Sequence, residues 1–182
     1  MFKNVMIASA VSSGTLTAAL LGIYTLYPSE WLETLAITMG TIAYHFIMRM
    51  FVGAAWYPLR NRVDPAAWWF REKTWEAALY KRLRVKNWKH HLPTYDPASF
   101  DIEKHTPEEL LVAMCHSERV HETIAVLSFV PLLGTIWFGA FPAFLITSLL
   151  AAVFDMLFVI LQRYNRPRMA VLIKRQQRRS HG

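Results

Sequence analysis

The sequence predicts an all-α protein, a four-span transmembrane helical bundle with an amphipathic interfacial helix in a long cytoplasmic loop. Three observations support this prediction. Hydrophobic residues make up 54% of the 182 residues, which is a high share for a soluble chain of this size. They are collected in long runs that carry almost no charge. The basic residues lie mostly between and after these runs. We expect the whole chain, 1–182, to form a single integral membrane domain.

Four apolar segments are each long enough to cross about 30 Å of hydrocarbon as a helix. We expect membrane spans at about 5–27, 33–57, 121–139 and 141–162. The last two come from one apolar stretch that is too long for a single span, and Gly139 with Pro142 marks a reversal between them. The rest of the chain is a cytoplasmic or interfacial loop at 58–120 and a basic tail at 163–182.

The net charge of +7 is distributed as in a membrane protein. Lysine and arginine are frequent between Pro58 and Val120 and again after the last span, whereas the first connection, "YPSEWLE", contains acids and no base. Because basic residues collect on the cytoplasmic side, we expect a multi-pass protein of the cell inner membrane with both termini cytoplasmic. Basic clusters of this kind bind anionic lipids. We therefore expect membrane lipids as partners, and no nucleic acid.

The loop at 58–120 contains two helix-start signals. Asp64 and Pro65 are suited to a helix N-terminus, and the residues that follow place tryptophans and leucines at helical spacing with bases on the other faces. This pattern is typical of a helix lying in the headgroup plane. Later, Thr106, Pro107 and Glu109 form the pattern of a capped helix, which we expect to run without interruption into the third span.

Ionisable residues border three of the predicted spans. His45 and Arg49 lie four residues apart in the second span, Glu118 and His121 lie three apart where the third helix enters the membrane, and "QRYNRPR" at 162–168, the arginine block, follows the fourth. Polar groups at this depth require a partner or a function. In the predicted orientation all three sets lie at the same membrane boundary. We therefore expect them to surround one pocket beneath the headgroups of the inner leaflet.

The chemistry of these residues suits proton transfer next to an anion. The carboxylate of Glu118 can accept the N–H of His121 and raise the basicity of the other ring nitrogen, which is then able to take a proton from a hydroxyl. The planar guanidinium groups of Arg163, Arg166 and Arg168 can bind phosphates or carboxylates bidentately.

Each set also has a purely structural interpretation. Glu118 and His121 can simply solvate a helical turn. His45 and Arg49 can belong to a structural ion pair with Glu118 or Asp155. The side chains of the arginine block can extend to lipid phosphates. Their positive charges can also stabilise a helix C-terminus, which carries a partial negative charge.

Three blocks of residues resemble a known family. They are "NWKHHLP", with Trp88 and Lys89; "SERVH", with Glu118 and His121; and "QRYNRPR", with Arg163, Tyr164, Asn165, Arg166 and Arg168. In order and approximate spacing they are similar to the glycosyl-4,4′-diaponeurosporenoate acyltransferase family of small integral membrane acyltransferases. The resemblance extends from Trp88 to Arg168. It implies transfer of a fatty acyl group from a thioester donor to a hydroxyl of a lipid-linked acceptor at the membrane surface.

We therefore expect an O-acyltransferase with His121 and Glu118 as its catalytic pair. The expected substrate-binding residues are His45, Arg49, Trp88, Lys89, Arg163, Tyr164, Asn165, Arg166 and Arg168. No permanently bound cofactor or metal is expected; the donor would be acyl-CoA or acyl carrier protein, and the acceptor a lipid-linked or glycolipid hydroxyl. The stretch after Trp88, "KHHLPTYDPASFDIEKH", departs from the family in composition. The acceptor is therefore left open.

Two other functions are consistent with the sequence. Glu-x-x-His also places two metal ligands on one helical face, and His45, His90 or His116 could complete a ligand set in a metal-dependent membrane lipid enzyme. A non-catalytic lipid-binding membrane subunit would use the same polar residues only as anchors.

Overall fold

The structure, a computed structural model, describes residues 2–93 and 97–180. In these ranges every regular element is helical. The long helices are α1 (Phe2–Leu26), α2 (Glu30–Trp56), α5 (Pro107–Leu127) and α7 (Phe141–Ser180), and the short ones are α3 (Glu76–Arg82), α4 (Val85–Trp88) and α6 (Thr135–Phe138). Single 3₁₀ segments lie at Tyr57–Arg62, Trp68–Phe70, Pro97–Phe100 and Val130–Gly134. The all-α prediction is confirmed.

Four helical stretches in this part of the chain are long and apolar enough to cross a membrane, namely Lys3–Leu26, Glu30–Arg62, Pro107–Phe138 and Phe141–Arg178. Many of their large apolar side chains are exposed, including Leu16, Phe51, Val126 and Leu150. Such side chains are stable against lipid tails, which are as apolar as leucine. The prediction of four membrane-spanning helices is confirmed.

The chain folds into two compact units. The first contains the residues up to Ala54 together with Thr123–Asp155, and the second contains Ala55–Glu122 and the residues from Met156 onward. Buried positions of the first unit are often alanine, at positions 10, 36, 43, 125, 151 and 152. Small residues allow membrane helices to approach closely. The core of the second unit includes Phe70, Tyr80, Val85, Leu110 and Phe158.

The start of α5 is the one that the sequence predicts. The backbone N–H of Glu109 donates to Thr106 Oγ1 at 3.2 Å, and the backbone N–H of Thr106 donates to Glu109 Oε2 at 2.9 Å. This reciprocal pair satisfies two amides that have no partner within the helix. The predicted cap is confirmed.

As the sequence predicts, this helix runs without interruption into the third span. It ends at Leu127, and a 3₁₀ segment and α6 complete the span. Pro131 has no amide hydrogen and disfavours a helical conformation at the residue before it, so the α-helix stops short of it. The reversal after α6 is as predicted, since Gly139 has φ 64° and the next residue, Ala140, has φ 43°.

The single amphipathic helix expected after Asp64 is not confirmed. Asp64 caps only a turn, in which its Oδ1 accepts from the N–H of Ala66 at 2.9 Å. A 3₁₀ segment and the two short helices α3 and α4 follow. One reason is that the carbonyl oxygen of Phe70 accepts a hydrogen bond from the side chain of Arg166 at 2.5 Å. Another is the left-handed conformation of Arg84, which separates α3 from α4.

The last helix does not end at the arginine block. Instead, α7 continues through Pro167 to Ser180. Pro167 removes one main-chain hydrogen bond, the one that the carbonyl of Arg163 would otherwise accept. Beyond it, the apolar run "MAVLI" at 169–173 gives the helix a further face to bury, and Ile173 is buried.

Candidate active site

A buried ion-pair network forms the centre of the second unit. It consists of Glu76, Glu118, Arg163 and Arg166, and both carboxylates are at most 1% exposed. Arg163 donates from Nη1 to Glu118 Oε1 at 2.6 Å and from Nη2 to Glu76 Oε1 at 2.7 Å. Arg166 donates from Nη1 to Glu118 Oε2. Two guanidinium groups therefore face two carboxylates, which compensates the charge inside the unit.

Local helix geometry explains how one carboxylate reaches two arginines. Arg163 and Arg166 are three residues apart on α7 and therefore lie on the same face. Glu118 lies on α5 and uses one oxygen for each guanidinium. The network thus links α5 to α7 through residues that lie 45 and 48 positions apart in the sequence.

The same network holds the loop in place. Tyr80 on α3 donates its hydroxyl to Glu76 Oε2 at 2.8 Å, and Phe70 contributes the main-chain acceptor for Arg166. Burial raises the pKa of Tyr80, and the hydrogen bond to Glu76 raises it further. The phenol is therefore neutral and serves as a donor to the carboxylate.

The "NWKHHLP" block meets the arginine block directly. Lys89 Nζ donates to Asn165 Oδ1 at 3.3 Å and lies 5.3 Å from the ring centre of Tyr164. The indole N–H of Trp88 donates to the carbonyl of Leu83 at 2.9 Å, so that this ring anchors the end of α4. Lys89 is half-buried, so part of its side chain remains accessible to a ligand.

His121 lies on α5, one turn after Glu118. Its half-buried ring stacks on Phe158 with a centroid distance of 4.5 Å and an interplanar angle of 9°. The neighbouring Glu122 accepts from the indole of Trp69 at 3.0 Å and from Arg119 at 3.3 Å. The hydrogen bond from His121 to Glu118 that the spacing suggests stays a prediction.

His45 and Arg49 belong to the first unit. Arg49 pairs with Asp155 and also donates to the carbonyl of Ala151 at 3.2 Å. Arg49 therefore forms the ion pair with Asp155 that the structural alternative names. His45 is 5% exposed, and neither of its ring nitrogens has a hydrogen-bond partner within the described residues. Participation of this pair in a site with the other motifs stays a prediction.

Two grooves open on the second unit. The larger, the basic groove, has a volume of about 510 Å³, and its lining includes Lys81, Arg84, Lys86 and Arg168. The smaller has a volume of about 340 Å³, and its lining includes the apolar residues Phe70, Leu111 and Val171. Glu72 and Pro167 line both. The arginine block therefore borders both grooves.

A metal centre receives no geometric support from the described ranges. Within 2–93 and 97–180, histidine, cysteine, aspartate and glutamate side chains form no group of three or more that could hold a metal ion. His116, one of the ligands considered for this alternative, instead uses Nε2 to contact the carbonyl of Trp56 at 2.9 Å.

Some site residues could not be identified by sequence reasoning. Glu76 is one of them, because the arginine that it pairs with, Arg163, lies 87 residues further along the chain. A weak signal was present, since Glu76 is an acid inside a segment rich in bases and lies four residues before Tyr80. No sequence pattern could identify the carbonyl of Phe70 as an acceptor, because every residue has a main-chain carbonyl whatever its side chain.

Comparison with known families identifies the chain. A family model described as glycosyl-4,4′-diaponeurosporenoate acyltransferase matches residues 66–175, more than half of the chain. The chain belongs to this family. No curated protein and no solved structure matches it. The part matched by the acyltransferase family contains the whole buried ion-pair network, the contact between Lys89 and Asn165, and His121. His45 and Arg49 lie outside the matched part.

Proposed function

We propose that the protein is a membrane acyltransferase that moves a fatty acyl group from a thioester to a hydroxyl of a lipid-linked or glycolipid acceptor. The observation that carries this proposal is the meeting of three motif blocks inside the family-matched segment. Glu118 of "SERVH" pairs with Arg163 and Arg166, and Lys89 of "NWKHHLP" contacts Asn165. Structural anchors alone would not require the three blocks to meet.

His121 is the general base in this proposal. It takes the proton of the acceptor hydroxyl while the hydroxyl oxygen forms a bond to the thioester carbonyl carbon. The carbon–sulfur bond then breaks, and His121 returns the proton to the departing thiolate, which leaves an ester and a free thiol. Stacking on Phe158 orients the imidazole, and its partial exposure allows the hydroxyl to approach.

We assign Lys89 to the negative charge that develops on the carbonyl oxygen. Its ammonium group is positioned by Asn165 and by the face of Tyr164. Donors that are fixed before the reaction stabilise an oxyanion strongly, because little reorganisation is needed during the reaction. Asn165 offers amide hydrogens to the same charge.

The buried ion-pair network has a positioning role. By holding α5 against α7, it fixes the part of α5 from which His121 projects. Glu118 thus supports the base through the backbone, whether or not its carboxylate also accepts from the imidazole. The membrane orientation completes the proposal: the basic loop and both termini face the cytoplasm, where acyl-CoA or acyl carrier protein is present.

The test is acyl transfer by purified protein. Wild-type protein receives a radiolabelled acyl-CoA and a total lipid extract, and new lipid esters are identified by mass spectrometry. We expect His121→Ala to lower the rate by about 10²- to 10⁴-fold. The matched control is His91→Ala, which removes an exposed imidazole and should leave the rate unchanged. A folded His121→Ala protein with full activity excludes this residue as the base.

A further inference from the structure

The basic groove has an unbalanced charge. Lys81, Arg84, Lys86 and Arg168 contribute four cations, whereas Glu72 is the one carboxylate among the described residues that line it. Like charges brought together on one surface repel each other. An anionic ligand in the groove would relieve this repulsion.

The backbone at Arg84 concentrates these charges. Arg84 adopts φ 50° and ψ 42° between α3 and α4, a left-handed conformation that side chains with a Cβ disfavour. Glycine adopts it freely, yet the chain has arginine here. The turn lets Lys81 of α3 and Lys86 of α4 line the same groove. Residues held in such conformations are frequent at ligand sites.

Arg168 is fixed in place before any ligand binds. Its guanidinium carbon lies 3.8 Å from the ring centre of Tyr164, and Nη1 donates to the Tyr164 carbonyl at 2.9 Å. A guanidinium held in this way loses little freedom on binding and retains further N–H donors for an anion.

We propose that the basic groove binds the clustered phosphates of a water-soluble nucleotide. Resting on the proposed function, the ligand is the nucleotide portion of a coenzyme A thioester. Coenzyme A carries a diphosphate and a 3′-phosphate close together, which matches several cations around one groove. A phospholipid headgroup offers one phosphodiester and leaves most of these cations unmatched.

The experiment measures binding without turnover. Full-length protein is placed in nanodiscs of phosphatidylcholine, and the dissociation constants of free coenzyme A and 3′-dephospho-coenzyme A are determined. We expect coenzyme A to bind more tightly than the dephospho compound. We expect Lys86→Gln and Arg84→Gly each to weaken binding of coenzyme A by about tenfold or more, since hydrogen bonds to charged groups are strong.

Two variants separate ligand binding from folding. Arg84→Gly removes a cation but suits the left-handed backbone, so its thermal stability should equal or exceed that of the wild type while binding weakens. Arg82→Gln removes an exposed base of α3 that does not line the groove, and its dissociation constant should equal that of the wild type.

Three results would overturn the inference: no binding of coenzyme A, equal binding by the groove variants and the wild type, or displacement of coenzyme A when phosphatidylglycerol is added to the nanodiscs. The last result would assign the groove to lipid headgroups. A different result would contradict the proposed function, namely protein that binds coenzyme A but does not transfer an acyl group. Acyl transfer from another thioester by protein that does not bind coenzyme A would overturn only the groove assignment.

Discussion

Glu118 is completely shielded from solvent, and its two oxygens accept hydrogen bonds from Arg163 and Arg166. Removing one member of such a buried arrangement is costly, because the remaining charges lose their counterion inside the protein. The buried ion-pair network therefore makes the fold of the second unit depend on single polar side chains.

We expect Glu118→Gln to lower the free energy of unfolding by about 3–5 kcal/mol, since Arg166 would lose its carboxylate partner and Arg163 would keep only Glu76. The amide has the same shape as the carboxylate, so packing is preserved. Thermal unfolding in detergent measures the change. The matched control is Glu108→Gln in the exposed first turn of α5, which should change stability by less than about 0.5 kcal/mol. An equal change in stability for the two variants would show that the buried ion-pair network does not contribute to the free energy of unfolding.

His45 presents the opposite situation, a buried polar ring whose nitrogens have no protein partner within the described residues. Burying such a group costs about 1–3 kcal/mol. We therefore expect His45→Leu to raise the thermal stability of the protein while lowering acyl transfer, which is the pattern of a residue retained for ligand binding. His116→Leu is the comparison, because its Nε2 contacts the carbonyl of Trp56, and it should be destabilising. Unchanged activity with higher stability in His45→Leu would remove His45 from the substrate-binding set.

Among the elements, the reversal between α6 and α7 depends on close packing. A Cβ at Gly134 would lie 2.8 Å from Cζ of Phe144, the buried ring at the fourth residue of α7. No such contact exists at Gly14 of α1, where nothing lies within 4 Å. The 3₁₀ segment that precedes α6 thus packs against α7 only because this position lacks a side chain.

We expect Gly134→Ala to destabilise the protein by about 1–3 kcal/mol, the usual range for overpacking. Gly14→Ala should be neutral or stabilising, because alanine is favoured over glycine in a helix by about 0.5–1 kcal/mol. Differential scanning fluorimetry on both variants tests the difference. A Gly134→Ala protein as stable as Gly14→Ala would mean that the ring of Phe144 moves aside freely.

On the scale of the whole molecule, the positions of the charges predict how the chain crosses the membrane. The stretch "YPSEWLE", which includes the turn between α1 and α2, contains two acids and no base, whereas bases are frequent after α2 and again in the second half of α7. We expect the loop on the cytoplasmic side and the first turn on the opposite side.

Cysteine labelling tests this orientation. A membrane-impermeant maleimide should label Tyr27→Cys in intact spheroplasts and Glu103→Cys only in inverted vesicles; both positions are exposed. The native Cys115 is buried and should give little background. Labelling of both positions from the same side would contradict the predicted topology and the cytoplasmic location proposed for the site.

The sequence by itself determined what depends on neighbouring residues. The length of an apolar run sets a span, Thr106 and Glu109 are near enough to form their own cap, and Gly139 permits its own turn. Only the tertiary structure decided which side chains meet, because Arg163 and Glu76 are 87 residues apart and no spacing rule links them. It likewise decided that the helix predicted after Asp64 is broken, since the carbonyl of Phe70 bonds to a distant arginine. Local propensity acts over about one helical turn, whereas a buried charge is stabilised by whichever opposite charge the fold brings to it.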